Sequence, residues 1–294
     1  MKAAPFDHIA ATSAEHALQL LGEAGDDGMV LAGGQTLVPM LAMRLARPSV
    51  LIDINGIADW AGIDVSGDAV RIKTATRQTA ALKSDVIAEN LPLLAKALPW
   101  VGHHQTRNRG TVGGSIAHGD PAAEIPLVAV ALGAEIKLHS QTAARPVAAD
   151  SFYQGPMMSD RNEDEILVEI DFPIWRDAGR TGAGFHEVAE RHGDFAVVSA
   201  GAQVLLDDAG VCQKAAIAVG GVSGTPARLR DAEANLIGNV LSENLIDEAL
   251  TGIGDHMDPA DDLHGSADYR RRVARVLIGR ALADAVADAG GSLS

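Results

Sequence analysis

Arg107-Asn108-Arg109-Gly110-Thr111-Val112-Gly113-Gly114-Ser115-Ile116-Ala117-His118-Gly119-Asp120-Pro121-Ala122-Ala123-Glu124 is the stretch on which the fold turns. Its glycines and hydroxyls stand ahead of an apolar run that predicts a helix over 122–132. Well upstream, Leu31-Ala32-Gly33-Gly34-Gln35-Thr36 repeats the pattern at the end of the apolar Met29–Ala32 run. Backbone N–H groups approach an anion closely only where no Cβ intervenes, and the hydroxyls of Thr36, Thr111 and Ser115 add donors without net charge. Together the two segments read as a split cradle for a dinucleotide pyrophosphate. Taken alone, the first is equally well a tight turn without a ligand.

Outward from these segments the chain divides into three. Ser13 is placed to cap a helix that carries Ala17, Leu18, Leu20 and Leu21 and ends by Gly22 or Gly25. Strands follow at Met29–Ala32 and Val50–Ile54, with a helix from about Pro39 between them, which makes residues 1–56 a small α/β unit. Val70–Thr74 alternates apolar and polar and opens a second unit, 57–176. It holds helical stretches at 79–89 and 93–98, the second glycine segment, a hairpin of Ile136–Leu138 with Pro146–Ala148, and a strand at 165–172. Trp175–Gly184 reads as a linker into the third unit, 177–294. Here apolar strands at Ala196–Leu206 and Ala215–Val219 flank the turn Asp207–Gly210, and a helix over 269–289 puts Val273, Val276, Leu277 and Ala281 on one side.

Composition narrows the function. With 24 Lys+Arg against 39 Asp+Glu, the 294-residue chain has a formal charge of −15, which repels nucleic acid and anionic membrane surfaces. Cys212 is the single cysteine, so an internal disulfide is excluded, and an iron–sulfur cluster or thiolate zinc site must belong to a partner. The N-terminal residues lack a signal-peptide core and no apolar run reaches spanning length, so a cytoplasmic location without membrane insertion is expected.

Other motifs carry less. His186-Glu187-Val188-Ala189-Glu190-Arg191-His192 misses the spacing that puts two zinc-binding histidines on one helix face, and His103-His104 would diverge in a strand, so no metal site is expected. Gly182-Ala183-Gly184-Phe185-His186-Glu187 has Glu at the third glycine of a Rossmann fingerprint and precedes an extended segment. Gly220-Gly221-Val222-Ser223-Gly224 reads as a turn at a domain junction, and Trp60, Trp100 and Trp175 as packing residues. Asp120 and Glu124 leave two roles open: complementing a helix N-terminus, or accepting hydrogen bonds from sugar hydroxyls.

Ala-Gly-Gly-Gln-Thr at 32–36, followed by Pro39, Arg44 and Leu45-Ala46-Arg47-Pro48, with Thr-Val-Gly-Gly-Ser-Ile-Ala-His-Gly-Asp-Pro-Ala-Ala-Glu at 111–124, resembles the FAD-binding medium subunits of the molybdenum hydroxylases, the group of carbon monoxide dehydrogenase and xanthine dehydrogenase. Arg191-His192-Gly193-Asp194-Phe195-Ala196 fits that family's entry to the third domain, so the resemblance spans nearly the whole chain. It implies an α+β fold of the FAD-binding PCMH type: two α/β subdomains clasp FAD beside a C-terminal α/β domain with an antiparallel sheet.

The resemblance also implies a site. Leu31, Ala32, Gly33, Gly34, Gln35 and Thr36 with Gly110, Thr111, Val112, Gly113, Gly114 and Ser115 would hold the pyrophosphate. Glu124 would contact a sugar hydroxyl, Val101 line the flavin region, Leu167 pack on the adenine side, and Asp194 and Phe195 lie near the isoalloxazine ring. Val197 stands where some relatives have a lysine, and the aromatic residue that others carry near Gly193 is represented only by Phe195. The implied function is electron transfer through FAD, with no catalytic side chain of this chain required. A large molybdopterin subunit and a small iron–sulfur subunit would be partners in a dimer of heterotrimers. A self-contained FAD-dependent oxidoreductase and a cofactor-free scaffold subunit are the alternative readings.

Overall fold

A computed structural model describes residues 2–293, except for the side chain of His256. The first unit runs β1 (Asp7–Ala10), α1 (Ala14–Ala24), β2 (Gly28–Leu31), α2 (Leu37–Ala42) and β3 (Val50–Asp53). Its sheet is parallel, in the order β1-β3-β2. Ser13 caps α1 as its position suggested, its hydroxyl accepting from the His16 amide at 3.2 Å. Strand β1 has no counterpart in the sequence reading, because Asp7-His8-Ile9-Ala10 lies on the sheet edge and is largely exposed, without the apolar signature of a buried strand.

The second unit comprises β4 (Ile63–Ser66), β5 (Ala69–Lys73), α3 (Gln78–Leu82), α4 (Asp85–Asn90), α5 (Pro92–Ala97), α6 (His104–Arg109), α7 (Val112–His118), α8 (Glu124–Leu132), β6 (Glu135–His139), β7 (Ala144–Ala148), α9 (Ala149–Phe152), β8 (Tyr153–Gly155), β9 (Met158–Ser159) and β10 (Ile166–Pro173). Its main sheet is antiparallel, in the order β4-β5-β10-β6-β7, and includes the expected hairpin as β6 and β7. Every residue of α8 is buried, as an apolar helix enclosed on all sides must be. Two expectations are corrected here. The second glycine segment is helical, since Val112–His118 forms α7 with Thr111 as its cap. His103 and His104 lie at the start of α6 and not in a strand.

The third unit contains β11 (Arg180–Ala189), β12 (Ala196–Leu206), β13 (Cys212–Gly220), β14 (Ala227–Arg228), α10 (Arg230–Leu236), α11 (Glu243–Ala249) and α12 (Ala267–Asp288). The sheet is an antiparallel meander, β11-β12-β13-β14, with Gly210 (φ 81°) closing the Asp207 turn. The segment read as a linker therefore ends early, because Arg180–Gly184 already belongs to β11. Its glycines are there to let α12 approach: a Cβ on Gly184 would come within 2.9 Å of the Ala281 carbonyl carbon, and one on Gly182 within 2.8 Å of the Asp288 carbonyl carbon. On α12, Ala274, Leu277, Ile278, Ala281, Leu282 and Ala285 face the sheet and Val276 faces outward, a stripe rotated from the expected one. Strand β12 is buried along its whole length, since α12 covers one face of the sheet while Leu93 of α5 and Leu127 of α8 pack on the other.

Gly184→Val is expected to lower stability by about 1–3 kcal/mol or more through overpacking against the α12 backbone, read as a drop in the thermal unfolding midpoint.

Candidate functional site

The two glycine segments meet. A Cβ on Gly33 would fall on the Arg109 carbonyl and within 2.7 Å of Gly110 Cα, so glycine here permits the first unit to touch the second. A polar strap fixes the contact. Asn55, after β3, donates to the Ala32 carbonyl at 2.7 Å, and Arg77 donates to Asn55 Oδ1 at 2.7 Å and to the Arg109 carbonyl. Between the units opens a cavity of about 630 Å³, within the roughly 300–1,000 Å³ typical of ligand and cofactor pockets.

Of the residues singled out from sequence, Ala32, Gly33, Gly34, Gln35 and Thr36 line this cavity from the first unit. Val101, Gly110, Thr111, Gly113, Gly114, Ser115, Glu124 and Leu167 line it from the second, and Asp194 and Phe195 from the third. Leu31 and Val112 do not. Leu31 ends β2 and its carbonyl accepts from Ile54, while Val112 is wholly buried in the core and its amide bonds Thr76; each is turned from the cavity by the element it belongs to.

The two segments contribute in different ways. Among the described residues, the amides of Gly33, Gly34, Gln35 and Thr36 donate to nothing within the chain, and Gly34 adopts a left-handed conformation (φ 70°) that suits glycine. These are free anion donors. The amides of 112–115 are instead committed: Val112 to Thr76 O, Gly113 to Thr74 O, Gly114 to the Thr111 hydroxyl and Ser115 to Thr111 O. The free backbone donors therefore lie mainly in the first segment, while 112–115 present hydroxyls and close packing. A Cβ on Gly113 would lie 2.6 Å from Thr74 Cα, so this glycine seats α7 on the end of β5.

At one end of the cavity the loop from β11 to β12 closes over Gly102 and His103. Gly193 (φ 87°) has no room for a side chain, since its Cβ would meet the His103 ring within 2.7 Å. That accounts for the lack of an aromatic residue there, while Phe195, 73% exposed, stands at the rim. Asp194 is held by Arg191 at 3.0 Å, and His192 stacks on Trp100 at 5.5 Å between centroids, which gives Trp100 the packing role expected of it. Arg107 holds the turn before α6 by donating to Val101 O at 2.9 Å and Gly102 O at 2.7 Å.

Glu124, the first residue of α8, is buried against the cavity. Burial pushes its carboxyl up to about 7; its own backbone amide and Arg107 hold it down, and Asp120 adds to the rise. At the other end, Arg161 reaches the cavity wall near Leu167, its Nη1 donating to the carbonyls of Asn162 and Glu165 at 2.9 and 2.8 Å. Sequence reasoning missed Arg161, Gln78, Thr106 and Met157 as lining residues. Arg161 lay hidden in a charge run, and Met157 takes a positive φ (57°) in a turn that no residue pattern announces.

The donors and acceptors suit a dinucleotide: free amides and hydroxyls for a pyrophosphate at the middle, carboxylates for sugar hydroxyls, and apolar walls for two rings. Known proteins agree in kind. The family model "FAD binding domain in molybdopterin dehydrogenase" matches residues 4–175, and "CO dehydrogenase flavoprotein C-terminal domain" matches 183–285. The chain is 41% identical over 286 residues to the 6-hydroxypseudooxynicotine dehydrogenase complex subunit alpha of Paenarthrobacter nicotinovorans, covering 97% of this chain and 96% of that protein. It is 35% identical over 278 residues to the carbon monoxide dehydrogenase medium chain of Hydrogenophaga pseudoflava, covering 94% and 96%. A solved structure of carbon monoxide dehydrogenase from Hydrogenophaga pseudoflava superposes with a TM-score of 0.93 at 35% identity, over 98% of this chain and 99% of that one.

Gly113→Ala is expected to cost about 1–3 kcal/mol by forcing α7 off β5. Gly114→Ala costs less, because its nearest neighbour is a side-chain atom, the Thr111 hydroxyl at 2.8 Å, and the better helix propensity of alanine offsets the contact by up to about 1 kcal/mol. Thermal unfolding of the two variants side by side checks the order.

Proposed function

The chain belongs to the family of FAD-binding medium subunits of the molybdenum hydroxylases, and from that premise we propose how its own residues serve the cofactor. It is the flavoprotein component of an oxidoreductase complex, and homologues in this family are subunits of multi-subunit enzymes. Bound FAD supplies the electron relay from partner iron–sulfur clusters to an external acceptor, while the protein supplies binding, orientation and electrostatics.

In this reading the amides of Gly33, Gly34, Gln35 and Thr36 hold the pyrophosphate, with the hydroxyls of Thr111 and Ser115 completing its shell. The carboxyl of Glu124 accepts from a sugar hydroxyl. Leu167 and Arg161 bound the adenine end, and Val101, Asp194 and Phe195 bound the isoalloxazine end. The observation that carries this is the row of unpartnered amides at 33–36 facing a cavity wide enough for a dinucleotide. No side chain of this chain is assigned a proton transfer to substrate, because substrate oxidation takes place at molybdenum on a large partner.

The units 1–56, 57–176 and 177–294 are proposed as the domains, a division supported by the three main sheets falling one within each. Partner assembly is proposed as a dimer of heterotrimers with a large molybdopterin subunit and a small iron–sulfur subunit. Cys212, a free buried thiol, cannot by itself ligate a cluster, which leaves the clusters to the small subunit. A cytoplasmic location completes the proposal, and a lone unoxidised cysteine fits it.

Affinity purification of the tagged chain from its native host tests the reading. FAD and iron–sulfur absorbance with one larger and one smaller polypeptide is the expected result, and a lone colourless chain that also refuses added FAD would overturn it. Gly33→Val and Gly114→Val are expected to purify with flavin reduced at least tenfold, on the order of the 1.4 kcal/mol or more that a displaced pyrophosphate loses. Full occupancy measured by acid-released flavin would refute the assignment of the two segments.

A further inference from the structure

The stop of α2 departs from two local rules at once. Arg44 lies just past the helix with a positive φ (61°), a conformation that favours glycine. Its amide donates to the Leu41 carbonyl at 3.0 Å, and that of Leu45 to the Met40 carbonyl at 2.9 Å. These two bonds make a Schellman stop, in which the second residue beyond the helix ordinarily packs back on the last turn. Leu45 holds that position and is 70% exposed instead. Val38 and Met43 are exposed with it, while the inner side of α2, with Leu41, packs on Ala46 and Leu51.

The same stop carries unpaired charge. Arg44 Nε donates to the Lys2 carbonyl at 3.1 Å, and Arg47 Nε to the Arg44 carbonyl at 3.0 Å. Each guanidinium is thus anchored by its Nε, and among the described residues neither meets a carboxylate. Asp7 and Asp27 bond the backbone of Ser49 through their own backbones and pair with neither arginine. Arg71, Arg145, Arg228 and Arg270 each hold an acid, as a chain with 39 acids and 24 bases allows. The free Nη edges of Arg44 and Arg47 are the edges that grip a carboxylate with two parallel bonds. A strained backbone, an uncovered leucine and two unpaired guanidinium groups therefore fall within residues 44–47, and departures of this kind collect where a fold serves function.

We propose that Val38, Met43, Arg44, Leu45 and Arg47 form the docking surface for the electron-donating partner of the flavin, a small iron–sulfur polypeptide that offers Leu45 an apolar hollow rimmed by carboxylates. This rests on the reading of the chain as the flavin subunit of a multi-subunit oxidoreductase. Position favours that occupant. Thr36, Leu37 and Met40 line the cofactor cavity, so a protein seated on the end of α2 comes within about one helix diameter, roughly 10–12 Å, of the cavity wall. A donor must approach the flavin in this way, whereas a subunit that only houses the substrate site need not. Charge agrees: the patch is basic on a chain of formal charge −15 and calls for an acidic face. A second copy docked through the same patch about a two-fold axis would set arginine against arginine. Methionine and arginine are moreover residue types that protein interfaces favour.

The complex purified from the native host through the tagged full chain tests the surface, with each polypeptide identified by mass and the small one by its iron–sulfur absorbance. Arg44→Gly and Leu45→Asp change exposed positions, and glycine suits the backbone at 44. Their unfolding midpoints are expected to lie within about 2–4 °C of the wild type or above it, and their flavin content to match it. On serial dilution of the complex, the dissociation constant for the iron–sulfur polypeptide is expected to rise at least tenfold in both, and in Arg47→Glu as well. Equal retention in all three variants overturns the docking surface and leaves the flavin reading standing. Release of the large subunit alone, or of a second copy of this chain with the iron–sulfur polypeptide kept, overturns the occupant named. Loss of flavin together with the partner places these residues in the service of the cavity and overturns the docking role. A wild-type chain that carries flavin and no partner overturns the complex and this surface together, while its flavin content still decides the cofactor.

Discussion

The rest of the structure depends on one close approach, that of Gly33 to Arg109 and Gly110. No side chain fits between these two backbones, and the strap of Asn55 and Arg77 ties the carbonyls on either side of the junction. The parallel sheet of the first unit and the antiparallel sheet of the second also share an apolar core, Leu21, Ile52 and Ile54 with Ala75, Ile166 and Val168. With the Gly33 contact they enclose a cavity whose centre is a stretch of backbone with unused donors. Those amides remain free because the chain at 33–36 lies between a strand and a helix and belongs to neither ladder.

The third unit is joined by a different device. Strand β11 presents two kinds of surface: glycines 182 and 184 toward α12, and Ala183, Phe185 and Glu187 toward the second unit. The sheet is thereby covered on both faces, and its leading strand delivers the Arg191–Phe195 loop to the mouth of the cavity.

Much of the cavity's chemistry is acidic or neutral. Asp120, Glu124 and Glu165 line it beside Arg161, and the strongly negative chain supplies few cations for a diphosphate. In the proposed reading the oriented amides of 33–36 do that work at no cost in net charge. A relay subunit has need of little more, since the flavin carries the electrons and the protein fixes where it sits.

Local chemistry made the glycine segments, the Ser13 cap, the β6–β7 hairpin and the strands of the third unit legible from residue order, because turns, caps and alternating burial are settled by neighbours in the chain. The same order supplied the resemblance that assigned Gly33, Gly34, Glu124 and Asp194 to a cofactor site, and all four line the cavity. It did not reveal that 112–118 is a helix with its amides already used, that Leu31 and Val112 turn away from the cavity, or that Arg161 and Met157 reach it. The sequence by itself determined which segments could bend, cap and donate; only the tertiary structure decided which of those donors stayed free, because hydrogen-bond partners are set by what the folded chain brings alongside.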